Sequence, residues 1–122
     1  MTTVQTVNNQ VFVEAPGERV TVASANDAVD LLGICGSQRT NRLLLHDGAL
    51  PEAFFTLKSG VAGEVLQKFS TYRMKVAIIV SRLRTANPRI AEMVRESNAQ
   101  SGTTDGIAYF QNRKSAVIWL TS

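Results

Sequence analysis

Two short stretches of this 122-residue chain carry side chains able to do chemistry: "LLHDG", with His46 and Asp47, and "FFTLKSGVAG", with Lys58, Ser59 and Gly60. A histidine beside a carboxylate is the arrangement of an acid or base in a cleft. His46 also ends a predicted strand, where ligands of open α/β sheets bind. No serine or cysteine nucleophile is paired with it, and with one His in the chain no metal-ligand set is expected. Ser59 opens a predicted helix and can accept from that helix's free amides, a cap worth ~1 kcal/mol that Asp would supply equally well. The same free N–H groups, with Lys58 beside them, suit an anion or an incoming phosphoryl group. Gly60 and Gly63 lack the spacing and the Lys-Ser/Thr pair of a phosphate loop, so no nucleotide or other cofactor is expected.

Phe54 and Phe55 precede that helix, either as core residues or as the wall of an apolar pocket shared with His46 and the loop "SRLRTAN", which carries Arg82 and Arg84. Gln67, Lys68 and Tyr72 form either a solvated helix side or an exposed interaction face. The one cysteine, Cys35, lies on the apolar face of a predicted helix and reads as a core thiol in a reducing compartment.

The periodicities say what must position these residues. "QVFVEAPGERVTVAS" reads as a hairpin of two short strands turning at Pro16-Gly17. Asn26 caps a helix whose Ala28, Leu31, Leu32 and Cys35 recur at i, i+3, i+4, i+7. Arg42 to His46 reads as a strand, and Ser59 to Ser70 as a helix burying Val61, Ala62, Val65, Leu66 and Phe69. "RMKVAIIVS" is almost wholly apolar, which suits a central parallel strand covered on both faces, with Ala77 to Ile79 fully buried. Asn87-Pro88 starts a helix, "GIAYF" is a last strand, and Asn112 caps a terminal helix. The order ββαβαβαβα predicts one layered α/β domain over residues 1–122, residues 1–10 flexible, with a mostly parallel sheet and an N-terminal hairpin.

Composition narrows the function classes. Thirteen Lys and Arg against 10 Asp and Glu give a charge of only +3, spread along most of the chain rather than gathered in a basic stripe, so nucleic acid is not an expected partner. No apolar run is long enough to span a bilayer, and "MTTVQTVNNQ" has neither a basic nor an apolar leader region. A cytoplasmic protein without a membrane segment is the expectation.

The segment "FFTLKSGVAGEVLQKFSTYRMKVAII", with "ESN" at Glu96 to Asn98 and "SAVIWL" near the end, resembles the bacterial domain of unknown function 4180 family. The likeness covers about residues 26–120 and is dense between 43 and 79. The element order, with Ser59-Gly60 opening a helix after a strand and loop, also resembles the sulfate transporter and anti-sigma-factor antagonist (STAS) fold. That resemblance implies a phosphorylatable Ser at the position of Ser59, facing a partner kinase. Here Lys58 replaces the acidic or small residue of the pattern, and no Asp directly precedes Ser59. Two functions follow as expectations. One is a non-enzymatic STAS-like interaction or regulatory module that binds a partner protein, or itself as a homodimer. The other is a small cofactor-independent cyclase or isomerase, or a binder of a small apolar ligand, with a pocket near His46 and Phe54.

Overall fold

The structure, a computed structural model, describes residues 2–101 and 105–122. Five strands form one sheet in the order β1 (Thr3–Val7), β2 (Gln10–Ala15), β3 (Arg42–His46), β4 (Lys75–Ile79) and β5 (Gly106–Phe110). β1 and β2 are antiparallel, and the pairs from β2 to β5 are all parallel. Each parallel pair is joined through a helix: α1 (Ala25–Ser37), α2 (Val61–Thr71), and α4 (Pro88–Gln100), which follows the short α3 (Arg82–Thr85). Because the strands are laid down side by side in one direction, crossovers of one hand put α1, α2 and α4 on the same face. α5 (Arg113–Leu120) follows the last strand and covers the opposite face.

The two faces can be read from strand alternation. Val13, Leu43, Leu45, Val76, Ile78 and Tyr109 point into a large core with Leu31, Cys35, Val65, Phe69 and Ile90 from the three crossover helices. Phe12, Leu44 and Ala77 point the other way, against Ala116, Val117 and Leu120 of α5. Leu43, Leu44 and Leu45 have no exposed surface, so each contributes roughly 1.5–3 kcal/mol of burial. β4 is interior, as a strand apolar on both faces must be, although the middle place in the order belongs to β3. Ala77 and Ile78 are fully buried while Ile79, near the strand's end, is partly exposed.

The N-terminal hairpin lies earlier than the turn dipeptide Pro16-Gly17 implies. Thr3–Val7, within the stretch expected to be flexible, pairs with β2 across Asn8-Asn9, whose φ angles of 52° and 62° make a left-handed two-residue turn. Asparagine tolerates that region better than most residues, which is the signal "VNNQ" carried. Pro16-Gly17 instead leaves β2 and meets the turn after β3. A Cβ on Gly48 would lie 2.1 Å from the Gly17 carbonyl oxygen, so these two glycines let the loops after β2 and β3 touch main chain to main chain.

Gly48→Ala should therefore cost about 1–3 kcal/mol through overpacking against main chain. Gly33→Ala, on α1 with nothing within 4 Å of the new methyl, should raise stability by up to ~1 kcal/mol. Urea denaturation of the two variants beside the parent checks both signs.

Candidate functional site

Two ion-pair networks lie at the carboxyl ends of β2, β3 and β4. Glu14 on β2 is only 8 % exposed and accepts from three donors. Arg113 grips it with both arms, Nε at 3.0 Å and Nη2 at 2.8 Å, and His46 Nε2 lies 2.7 Å from its Oε2. The Arg113 hydrogen bonds outweigh burial, with help from His46, and hold the Glu14 carboxyl below its ordinary value of 4.5. A carboxylate with a depressed folded pKa adds stability above its unfolded pKa and loses it as pH falls through the folded one. The contribution of Glu14 is therefore present at neutral pH and fades below about pH 4.5.

A second network holds the next loop. Arg84 donates to both Glu52 oxygens at 3.1 and 2.7 Å and, through Nε, to Asp47 at 3.3 Å, while its guanidinium lies 4.1 Å over the Phe55 ring. Asp47 also accepts from the Ser81 amide at 3.0 Å. So His46 and Asp47, adjacent in sequence, turn to different partners: His46 to Glu14 on the neighbouring strand and Asp47 to Arg84. Arg82, on the same turn of α3 as Arg84, is exposed to solvent.

Ser59 does not open the helix itself. Gly60, left-handed at φ 76°, is the cap residue of α2, which begins at Val61. The Ser59 oxygen accepts from the Val61 amide at 3.2 Å, and its hydroxyl donates to the Ala53 carbonyl. That second bond changes what a substitution does. Aspartate at 59 has no proton to give at neutral pH and sets a carboxylate against a carbonyl, so it is no longer an equal cap.

Phe54 and Phe55 meet edge to face, centroids 5.0 Å apart at 68°. Phe54 is wholly core. Phe55 instead floors a cleft of about 300 Å³ with Thr56, Lys58, Asn87, Arg89 and Ile90. Here the turns that precede α2 meet the start of α4. Asn87 caps α4 by accepting from the Arg89 amide at 2.9 Å, and Pro88 takes the first helical position. Lys58 and Arg89 are exposed on the rim, and neither makes an ion pair among the described residues. A mostly apolar pocket of about 290 Å³ opens at the ends of β4 and β5, lined by Val80, Thr85, Val94, Arg95, Phe110 and others. His46 and Phe54 line neither.

Three residues escaped the reading of the sequence. Glu14 interrupts the apolar strand "VFVEA" on the α5 side, a placement that requires a cation nearby. Arg113 stands in the first turn of α5, where a cation opposes the helix dipole unless a carboxylate faces it. Lys75, without exposed surface, lies at the other end of α5, its Nζ 3.3 Å from Ser122 Oγ and 4.8 Å from the Trp119 ring centre. Burial, then the charge of Arg42, lowers its pKa. Cys35 is buried, which pushes its thiol up to about 11. Gln67, Lys68 and Tyr72 all face solvent.

A family model described as a domain of unknown function, DUF4180, matches residues 7–120. The chain belongs to that family. The match starts at Val7 and so takes in β2 with Glu14, beyond the stretch from residue 26 on which the resemblance rested. No curated protein and no solved structure matches the chain. The "ESN" of the resemblance has a structural place in this DUF4180 chain. Ser97 Oγ donates to the Ile107 carbonyl at 2.7 Å, and the Asn98 amide group bonds both the N–H and the C=O of Tyr109 at 2.7 and 3.1 Å. Those contacts occupy the outer edge of β5. No helix among the described residues is long and apolar enough to cross a membrane.

Ser59→Ala should lose about 1 kcal/mol by freeing the Ala53 carbonyl and the Val61 amide. Ser59→Asp should lose at least as much, and thermal melts of the three proteins order them with the parent highest.

Proposed function

We propose that this protein is a non-enzymatic, STAS-like regulatory module that receives an acidic segment of a partner protein in the cleft between the turns before α2 and the start of α4. The single observation behind this reading is the cleft's chemistry. Phe55 and Ile90 give it an apolar floor, Lys58 and Arg89 stand over it without ion partners among the described residues, and the first turn of α4 borders it. A helix start carries partial positive charge, so α4 adds to the two cations. Rim charges of this kind set association rate and partner sign more than total affinity.

The groups that would otherwise do acid–base work support a binding role. Glu14, His46, Asp47 and Glu52 are each within hydrogen-bond reach of a positioned partner, and those bonds join β2 to β3 and α5, and α3 to the turns after β3. Ser59, which the STAS resemblance marks as a phosphate acceptor, uses its hydroxyl to fasten Ala53 to the start of α2 and so holds Lys58 beside the cleft. The partner's own carboxylates then supply the negative charge that the family pattern obtains from modification.

Fluorescence anisotropy with a fluorescein-labelled octapeptide of alternating aspartate and glutamate tests the proposal. Lys58→Glu and Arg89→Glu should each weaken binding about tenfold, or ~1.4 kcal/mol, while Lys114→Glu leaves it unchanged. Added salt should weaken the parent complex as well. A parent protein that ignores the peptide, or three variants that bind it alike, would count against the cleft.

A further inference from the structure

The two edges of the sheet are treated differently. On β5, Ser97 and Asn98 from α4 take up the outward C=O of Ile107 and both the N–H and the C=O of Tyr109. β1, at the opposite edge, has no such cover. Its two-residue turn at Asn8-Asn9 makes Val7 and Gln10 a hydrogen-bonded pair, and alternation then bonds Gln5 to Phe12 and Thr3 to Glu14. The N–H and C=O groups of Val4 and Thr6 therefore point outward. No hydrogen bond from another described residue reaches them.

Natural edge strands are usually protected by Lys, Pro, a bulge or a covering segment. β1 reads TVQTV, carries no charge and no proline, and pairs with β2 in unbroken register. Val4 is 47 % exposed. We propose that the occupant of this edge is β1 of a second copy of the same chain, paired antiparallel about a two-fold axis at Gln5. The strand fits itself. Reversed, TVQTV becomes VTQVT, so every threonine falls opposite a valine and Gln5 opposite Gln5. Val4 and Thr6 of each copy then form two narrow pairs, for about four main-chain hydrogen bonds across the axis. The side-chain pairs so made are mostly β-branched and wholly uncharged, the kind that stabilises antiparallel neighbours and meets no like-charge penalty. The result is a continuous ten-stranded sheet with β5 and its α4 cover at both ends, a closed assembly rather than a fibre.

This pairing is independent of the cleft at Lys58 and Arg89, and a separate measurement tests it. Size-exclusion chromatography with light scattering at micromolar concentration should give twice the chain mass of 13.3 kDa. Val4→Pro removes an outward N–H while leaving the bonds to β2, so it should return the protein to the mass of one chain with its hairpin intact. Thr6→Lys, which keeps the backbone unchanged and puts a charge opposite Val4 of the other copy, should do the same if the proline variant does not fold. Ile118→Lys, an exposed apolar site on α5, should stay at twice the mass. A parent protein at the mass of one chain overturns the proposal and leaves the edge to a strand of another protein. Thr6→Lys at twice the mass overturns it too, because the copies then meet elsewhere.

Discussion

The placement of α5 on the second face of the sheet depends on one ion pair, the two-armed grip of Arg113 on Glu14. α5 has eight residues, too few to be stable alone, and it is the helix that covers Phe12, Leu44 and Ala77. Its apolar side supplies the driving force, but Ala116, Val117 and Leu120 would tolerate some sliding along a flat sheet. Arg113 fixes the position by binding a carboxylate 99 residues earlier in the chain. The same carboxylate orients His46, so the end of β3 and the start of α5 are set by a common atom pair. At the other end of the helix Arg42 donates to the Leu120 carbonyl at 2.9 Å, which satisfies one of the helix's last free acceptors.

A second charged network of the same kind lies at the next loop, near the cleft at Lys58. Glu14 and the pair Asp47 and Glu52 each recruit an arginine, and each network joins segments distant in sequence. Arg84 fastens α3 to the turns before α2, and its guanidinium covers the outer side of Phe55. The inner side of that ring rests on the core through Phe54. Phe55 is thereby held as a rigid floor, and Lys58 and Arg89 project from the two walls. The cleft adjoins this structural pairing, and its own cations make no ion pair among the described residues.

Much of the fold was legible because the strands and helices announce themselves by period. The apolar run over Lys75–Ile79, the i, i+3, i+4 pattern through Leu31 and Cys35, and the Asn87-Pro88 and Asn112 caps all lie where the residues imply. The hairpin was displaced because Pro16-Gly17 is a stronger turn signal than Asn8-Asn9, yet the left-handed pair at 8 and 9 matches the twist of a two-residue hairpin. Pro16-Gly17 serves a contact with Gly48 that no local pattern reveals. The site was less legible for the same reason. His46 next to Asp47 looks like a pair, but alternation along β3 sends His46 toward α5 and Glu14, while Asp47, already in the turn, faces Arg84. Ser59 was visible as a cap residue, whereas its bond to Ala53 depends on a turn six residues earlier. Arg89 belongs to the cleft only because α4 starts beside the turns that carry Phe55 and Lys58.

The most direct test of the Glu14–Arg113 constraint is a double-mutant cycle with Glu14→Gln, Arg113→Gln and the combined variant, followed by urea denaturation at neutral and acid pH. Arg113 is about half exposed, so solvent screens part of the pair, and a coupling of about 1–2 kcal/mol is expected at neutral pH. It should shrink as pH falls through the lowered pKa of Glu14, where the carboxylate takes up its proton. Single losses that simply add at neutral pH, or a coupling that persists unchanged in acid, would contradict the claim that this pair holds α5 on the sheet.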